Sequence, residues 1–182
     1  MGTLTNITAT TYQDLVYRTG SVTIDGANIG ALKGDISVKI AKEDYVPELA
    51  GAAGEVMGTR FRMKEEISLS FQCVALQLAT IATAIVGIHV SSNASSEVIG
   101  SSDDSSDPVG CIAIGEYKKW VFTCQQCDGL NTLFTLFHAV VDGDVEMKFS
   151  DKGEMTYAMT VKATYDGADP DMRPWAIVHN VA

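Results

Sequence analysis

The chain has few basic residues. Its 182 residues include 13 Lys and Arg against 23 Asp and Glu, which gives a formal net charge of −10. No Lys or Arg occurs between Glu65 and Tyr117. Tight nucleic-acid binding needs clustered cations that displace the counterions of the phosphates. The composition therefore argues against a tight or sequence-specific nucleic-acid binder, and the acidic excess is otherwise typical of a soluble surface.

Long apolar runs are also missing. No run reaches the roughly 20 residues that a membrane-spanning helix needs. The first residues show neither the basic nor the apolar segment of a secretory signal. We therefore expect no membrane partner and no secretory signal. The length and the hydrophobic content of 46% predict one domain with a sizeable core.

Motifs that carry catalysis are absent as well. The sequence contains no GxSxG, no glycine-rich phosphate loop and no HExxH. Glu65 and Glu66 are adjacent, but neighbours on a strand face opposite sides and make a poor acid–base pair. His138 lies in an apolar stretch, which favours a core histidine over a ligand. We predict that the chain is not an enzyme and holds no cofactor.

The metal-ligand types are too sparse for a recognisable metal site. The four cysteines are Cys73, Cys111, Cys124 and Cys127. The last two form a lone CxxC, whereas a zinc site needs four ligands. We interpret the cysteines as reduced structural thiols, with metal or redox use as the alternative. The aspartates between Asp103 and Asp107 lack the glycine and the terminal glutamate of an EF-hand loop, so no metal is predicted.

Two stretches alternate strictly between apolar and polar residues, Asp35–Ile40 and Glu66–Gln72. Such alternation is typical of strands with one dry face and one wet face. We predict a long hairpin with an extended connecting loop, Ala41–Phe61. The residues predicted to point to the dry side are Ile36, Val38, Ile40, Ile67, Leu69 and Phe71.

The rest of the chain predicts further strands and one helix. Leu78, Ile81, Ala82 and Ile85 have helical spacing, and Gly87 follows as a helix-ending glycine. Ser91–Val109 is polar and acidic, which predicts an exposed, mobile loop.

Strands are predicted near residues 118–124, 130–141, 145–149, 155–165 and 175–178. The stretch 155–165 also alternates, with Tyr157, Met159, Val161, Ala163 and Tyr165 on one side. Residues 1–20 are predicted to form an N-terminal arm before a single β-domain, residues 21–182. The predicted fold is mainly β, a sandwich or barrel with one flanking helix and a long hairpin loop.

The order of these patterns resembles the tail tube proteins (major tail proteins) of tailed bacteriophages, especially those with long non-contractile tails. The resemblance rests on five stretches that run from VTIDGANIG to MTVKATYD: residues 22–30, 34–40, 58–71, 143–149 and 159–166. It covers most of the chain from about Ser21. It implies a β-sandwich-like domain, six copies of which close into a ring, and rings that stack into a tube for DNA ejection.

The resemblance also implies roles for the hairpin. Its wet face would line the channel, with Asp35, Ser37, Lys39, Glu66, Ser68 and Ser70 as lumen-facing candidates. A lumen with negative potential would let DNA pass without binding, since no counterions are released. Four apolar loop residues without an evident partner in the hairpin are candidates for contacts between subunits or rings: Val46, Leu49, Val56 and Met57. The alternative is that they cap the local core.

Further expectations follow from the resemblance. The partners would be copies of the chain itself, a tape-measure protein, tail-end proteins and DNA in transit. The protein would reside in the virion tail, and in the host cytoplasm during assembly. Three alternatives are a tube protein of a contractile tail or secretion device, a monomeric β-barrel that binds a small molecule, and a split-barrel flavin enzyme.

Overall fold

A computed structural model describes residues 20–48, 51, 54–74, 80, 83–85, 90–92, 97–99, 112–125, 130–149 and 154–179. The protein is mainly β, as predicted, and a short 3-10 turn at Ile114–Glu116 precedes β8. The strands are β1 (Ser21–Ile24), β2 (Ala27–Asn28), β3 (Ala31–Leu32), β4 (Ser37–Tyr45), β5 (Phe61–Val74), β6 (Val90–Ser92), β7 (Glu97–Ile99), β8 (Lys118–Gln125), β9 (Asn131–Val141), β10 (Glu146–Lys148), β11 (Thr156–Ala163) and β12 (Trp175–His179).

β4 and β5 form the predicted long hairpin. They pair antiparallel from Ser37 opposite Ser70 to Tyr45 opposite Phe61, with a bulge near the end of β4. The two strands are longer than predicted. The apolar–polar alternation of β4 ends after Ile40, but the charged residues that follow, Lys42, Glu43 and Asp44, still pair with β5. The connecting loop therefore covers residues 46–60 rather than Ala41–Phe61.

Among the described residues, ten strands form one antiparallel sheet that curls into a half-barrel. The order is β2-β1-β8-β9-β11-β5-β3, and β4 also pairs with β5, β10 with β11 and β12 with β9. β11 and β12 pair with different parts of the same edge of β9. Ala163 of β11 lies opposite Ala139, and Trp175 of β12 lies opposite Leu136. β1, the second strand of this order, also lies near β3 at its other end.

The first strands are joined by a two-residue turn. Asp25 and Gly26 have φ of 47° and 88°, the left-handed values of the Asp-Gly turns that suit a tight hairpin. Just before β1, the chain passes so close to β8 that a Cβ on Gly20 would lie 1.3 Å from the carbonyl oxygen of Thr123. Only glycine fits there without moving the backbone.

The core lies inside the curl. β11 confirms its predicted alternation, because every second residue from Tyr157 to Ala163 is buried. Phe71 and Trp120 meet across the core with ring centroids 6.0 Å apart. The largest fully buried side chains include Trp120, Ile24, Ile29, Ile67, Leu69, Leu136, Val22 and Val161. Burial of each large apolar side chain stabilises the fold by about 1.5–3 kcal/mol.

Two predictions about buried residues are wrong. Val38 and Ile40 are 39% and 38% exposed although their partners on β5 are buried. The reason is that β4 lies at the margin of the sheet, where among the described strands it pairs with β5 alone. His138 is half-exposed rather than part of the core, and its Nε2 lies 3.7 Å from Asp166 Oδ2.

Other predictions fall largely outside the described residues. Of the predicted helix, Thr80, Thr83 and Ala84 have helical backbone, and Ala84 is buried in the core. Leu78, Ile81, Ala82 and Gly87 lie outside, as do residues 1–19 of the arm. The prediction of a loop over Ser91–Val109 is partly wrong, since β6 and β7 pair there as a two-stranded antiparallel sheet. Residues 93–96 and 100–111 lie outside the described residues.

Candidate functional site

A polar sheet face runs across β4, β5 and β11. The register places Ser37, Ser70 and Thr160 in one row, and Ser70 Oγ lies 2.9 Å from Thr160 Oγ1. The next row contains Lys39, Ser68 and Lys162. The structure thus brings the predicted residues of the two hairpin strands together on one face. The face also includes Thr160 and Lys162 of β11. The sequence did not indicate these two residues, because Thr160 lies 90 positions from its neighbour Ser70.

Two lysines of this polar sheet face pair with one carboxylate. Glu66 forms ion pairs with Lys64 and, at 3.2 Å, with Lys162. The hydrogen bonds from these two lysines hold the pKa of Glu66 below its usual value. The same contact with Glu66 raises the pKa of Lys64. Lys39, on the same face, makes no ion pair with the described residues.

The acidic part of the face lies around an open depression of about 930 Å³. Asp35 contributes to its wall from the chain before β4, and Asp144 and Glu146 contribute from the chain around β10. Ser37 and Ser70 also line it, and none of the described Lys and Arg residues does. The depression is open to solvent, unlike the closed apolar cavity expected of a small-molecule binder.

The far end of the hairpin carries a second surface, which is apolar. Met57 is 99% exposed and Val56 is 42% exposed, so both side chains are open to contact with another chain. Val46 is half-buried, and Leu49 lies outside the described residues. The strand ends add exposed residues that the sequence analysis missed. We call Tyr45, Val56, Met57, Phe61 and Met63 the apolar hairpin tip.

Local contacts order the described part of the loop. The backbone N–H and the hydroxyl of Thr59 both donate to the carbonyl of Val56, at 3.2 and 2.7 Å. Arg60 donates two hydrogen bonds to Glu55, at 2.8 and 2.6 Å. This contact lowers the pKa of Glu55 and raises that of Arg60. An exposed cluster of apolar side chains on an ordered turn is typical of a protein-interaction surface.

The described cysteines and acidic residues do not assemble into a metal site. No group of three or more His, Cys, Asp or Glu among them could hold a metal ion. Cys73 is buried, and this burial raises its pKa to about 11. Burial also raises the pKa of Cys124, while Cys111 and Cys127 lie outside the described residues. Glu65 and Glu66 have different partners, Trp175 and the two lysines, as expected of opposite faces.

Across the described ranges, no helix has the length and apolar character needed to cross a membrane. No protein-family model and no curated protein matches the chain. The hairpin carries two candidate functional surfaces, the polar sheet face and the apolar hairpin tip.

Proposed function

We propose that the chain is a structural virion protein whose copies form stacked hexameric rings, the tail tube of a long-tailed bacteriophage. The observation that carries the proposal is the single hairpin with two different surfaces. Its body contributes to a polar sheet face, and its end exposes the apolar hairpin tip. The partners proposed with it are the tape-measure protein, the tail-end proteins and the DNA in transit.

The proposed fold is the β-sandwich-like tail tube domain with a flanking helix. The curled ten-stranded sheet is compatible with it. The helical backbone of Thr80, Thr83 and Ala84, with Ala84 buried in the core, supports a helix packed on the sheet.

Ring formation needs contacts that differ on the two sides of a subunit. A head-to-tail contact closes into a ring when its rotation closes. β4 is a nine-residue strand that pairs only with β5 among the described strands. An open strand edge of this length is a hazard in a monomer, and joining the sheet of a neighbouring copy removes the hazard. The apolar hairpin tip would then contact the next ring.

The polar sheet face would line the channel. Its hydroxyl groups are uncharged, two of its lysines pair with Glu66, and the depression around Asp35, Asp144 and Glu146 adds negative charge. DNA would pass without displacing counterions and so would not stick. Screening limits the repulsion to about 8 Å at physiological salt, so the effect acts at the wall. A channel lined by unpaired Lys and Arg would contradict this mechanism.

A deletion tests the proposal. Removing Leu49–Val56 shortens the loop but leaves β4, β5 and the core intact. We expect the variant to keep the circular dichroism spectrum of the parent and to remain monomeric in sedimentation, while the parent forms rings or tubes. Tubes of normal length from the variant would refute the assignment of the loop. A parent that stays monomeric at all concentrations would refute the function.

A further inference from the structure

The outer half of the hairpin extends past the body of the sheet. β5 has fourteen residues, but β11 pairs only with Ser68–Val74. Residues 61–67 pair with β4 on one side, and no described strand pairs with them on the other. We call residues 61–67 and their partners on β4 the overhang. A two-stranded ribbon is marginally stable by itself in water, so the overhang needs support from elsewhere.

Glu65 supplies that support. Its side chain is only 5% exposed. One carboxylate oxygen accepts a hydrogen bond from Trp175 Nε1 at 2.9 Å, and the other lies 3.4 Å from a guanidinium nitrogen of Arg62. A buried carboxylate is costly unless its oxygens have such partners. Trp175 belongs to β12, so this contact connects the overhang directly to the body of the protein.

Trp175 is itself held in place. Its ring packs against Phe134 of β9 with centroids 6.4 Å apart. The guanidinium carbon of Arg173 lies 5.7 Å from the centroid of the Trp175 ring. A cation over an indole ring is a favourable contact. The hydrogen-bond donor that Glu65 uses is therefore fixed to the sheet rather than mobile.

Charged contacts continue from Glu65 towards the apolar hairpin tip. Arg62 lies 3.4 Å from Asp44, Asp44 lies 3.5 Å from Arg60, and Arg60 holds Glu55 in the loop with two hydrogen bonds. Each exposed pair alone contributes little. Joined to a buried carboxylate at the base, they form a continuous connection from β12 to the loop, which gives the overhang a defined direction.

We propose that Glu65 is a positioning residue that clamps the overhang to β12 and so sets the direction in which the apolar hairpin tip meets a second copy of the chain. The clamp follows from the contacts of the single chain, and its role in assembly rests on the proposed function. Replacement of Glu65 should free the overhang without unfolding the core, because Ser68–Val74 keep their pairing with β11.

The experiment compares Glu65→Ala with Glu154→Ala in the full-length protein. Alanine removes both carboxylate oxygens, so neither Trp175 Nε1 nor Arg62 keeps its partner. Glu154 makes an exposed ion pair with Lys33 at 2.9 Å, so the same change there is a matched control. In Glu65→Ala, hydrogen exchange in residues 61–66 should accelerate about ten- to a hundredfold, as for a lost charged hydrogen bond, while residues 69–73 keep their protection. The control should exchange as the parent does.

The readout separates positioning from general stability. Unchanged exchange at residues 61–66, or equal acceleration in residues 69–73, would overturn the clamp. Trp175→Phe removes the donor and leaves Glu65 intact, and it must reproduce the local acceleration even if Glu65→Ala fails to fold. If Glu65→Ala loosens the overhang but assembles at the parent's concentration, the proposed role in presentation is wrong. If the parent never assembles, the proposed function fails, while the exchange data still decide the clamp.

Discussion

Replacement of Met57 with serine tests whether the apolar hairpin tip is a contact surface. Met57 is 99% exposed in the single chain, so the change should alter folding stability by no more than about 0.5 kcal/mol. If assembly buries the Met57 side chain, the substitution weakens each contact between copies by about 1.5–3 kcal/mol. That free energy corresponds to a rise of roughly ten- to a hundredfold in the concentration at which copies assemble.

The assay is sedimentation of assembled material over a dilution series, with thermal melting of the dissociated protein as the folding check. Ile114→Ser provides a matched control, because Ile114 is 90% exposed on the 3-10 turn outside the hairpin. The control should assemble at the concentration of the parent. If Met57→Ser also assembles at that concentration, the apolar hairpin tip is not the contact surface.

Three further predictions concern the fold. Gly20→Ala should lower the melting temperature by several degrees, since a Cβ has no room beside Thr123; an unchanged melting temperature would contradict the close approach. The lysine contacts lower the pKa of Glu66 in the folded state, so their stabilisation is present at neutral pH and lost as the pH falls below 4.5. In urea titrations, the difference in unfolding free energy between the parent and Glu66→Gln should therefore shrink in acid, and a constant difference would oppose this. Cys73 should resist iodoacetamide in the native protein, because burial raises its pKa to about 11 and keeps the thiol protonated; rapid native labelling would be inconsistent with its burial.

The strands were predictable because alternation is a local property of the sequence. Leu69 and Val161 are buried as their alternation requires. Which strands lie side by side is not local. Thr160 joins the row of Ser70 across 90 positions, and Trp175 reaches Glu65 across 110. For this reason the sequence indicated the polar residues of the hairpin but neither the contribution of β11 nor the buried carboxylate.

The wrong predictions have physical causes in the sheet. Leu136 and Ala139 are both buried although they are three positions apart, and the register of β8 on β9 shifts at this point. The shift changes which face His138 occupies and exposes it. Val38 has the correct alternation but lies on a marginal strand, and a pattern of apolar residues does not reveal whether a strand is central or marginal.

The central claim is that copies of the chain surround a hollow axis with the polar sheet face inward. An electron cryomicroscopy map of the purified, assembled protein measures this directly. We expect stacked six-membered rings in which Ser37, Ser70 and Thr160 face the bore and the apolar hairpin tip contacts the neighbouring ring. Particles without a bore, or a bore lined by another face of the sheet, would contradict the account.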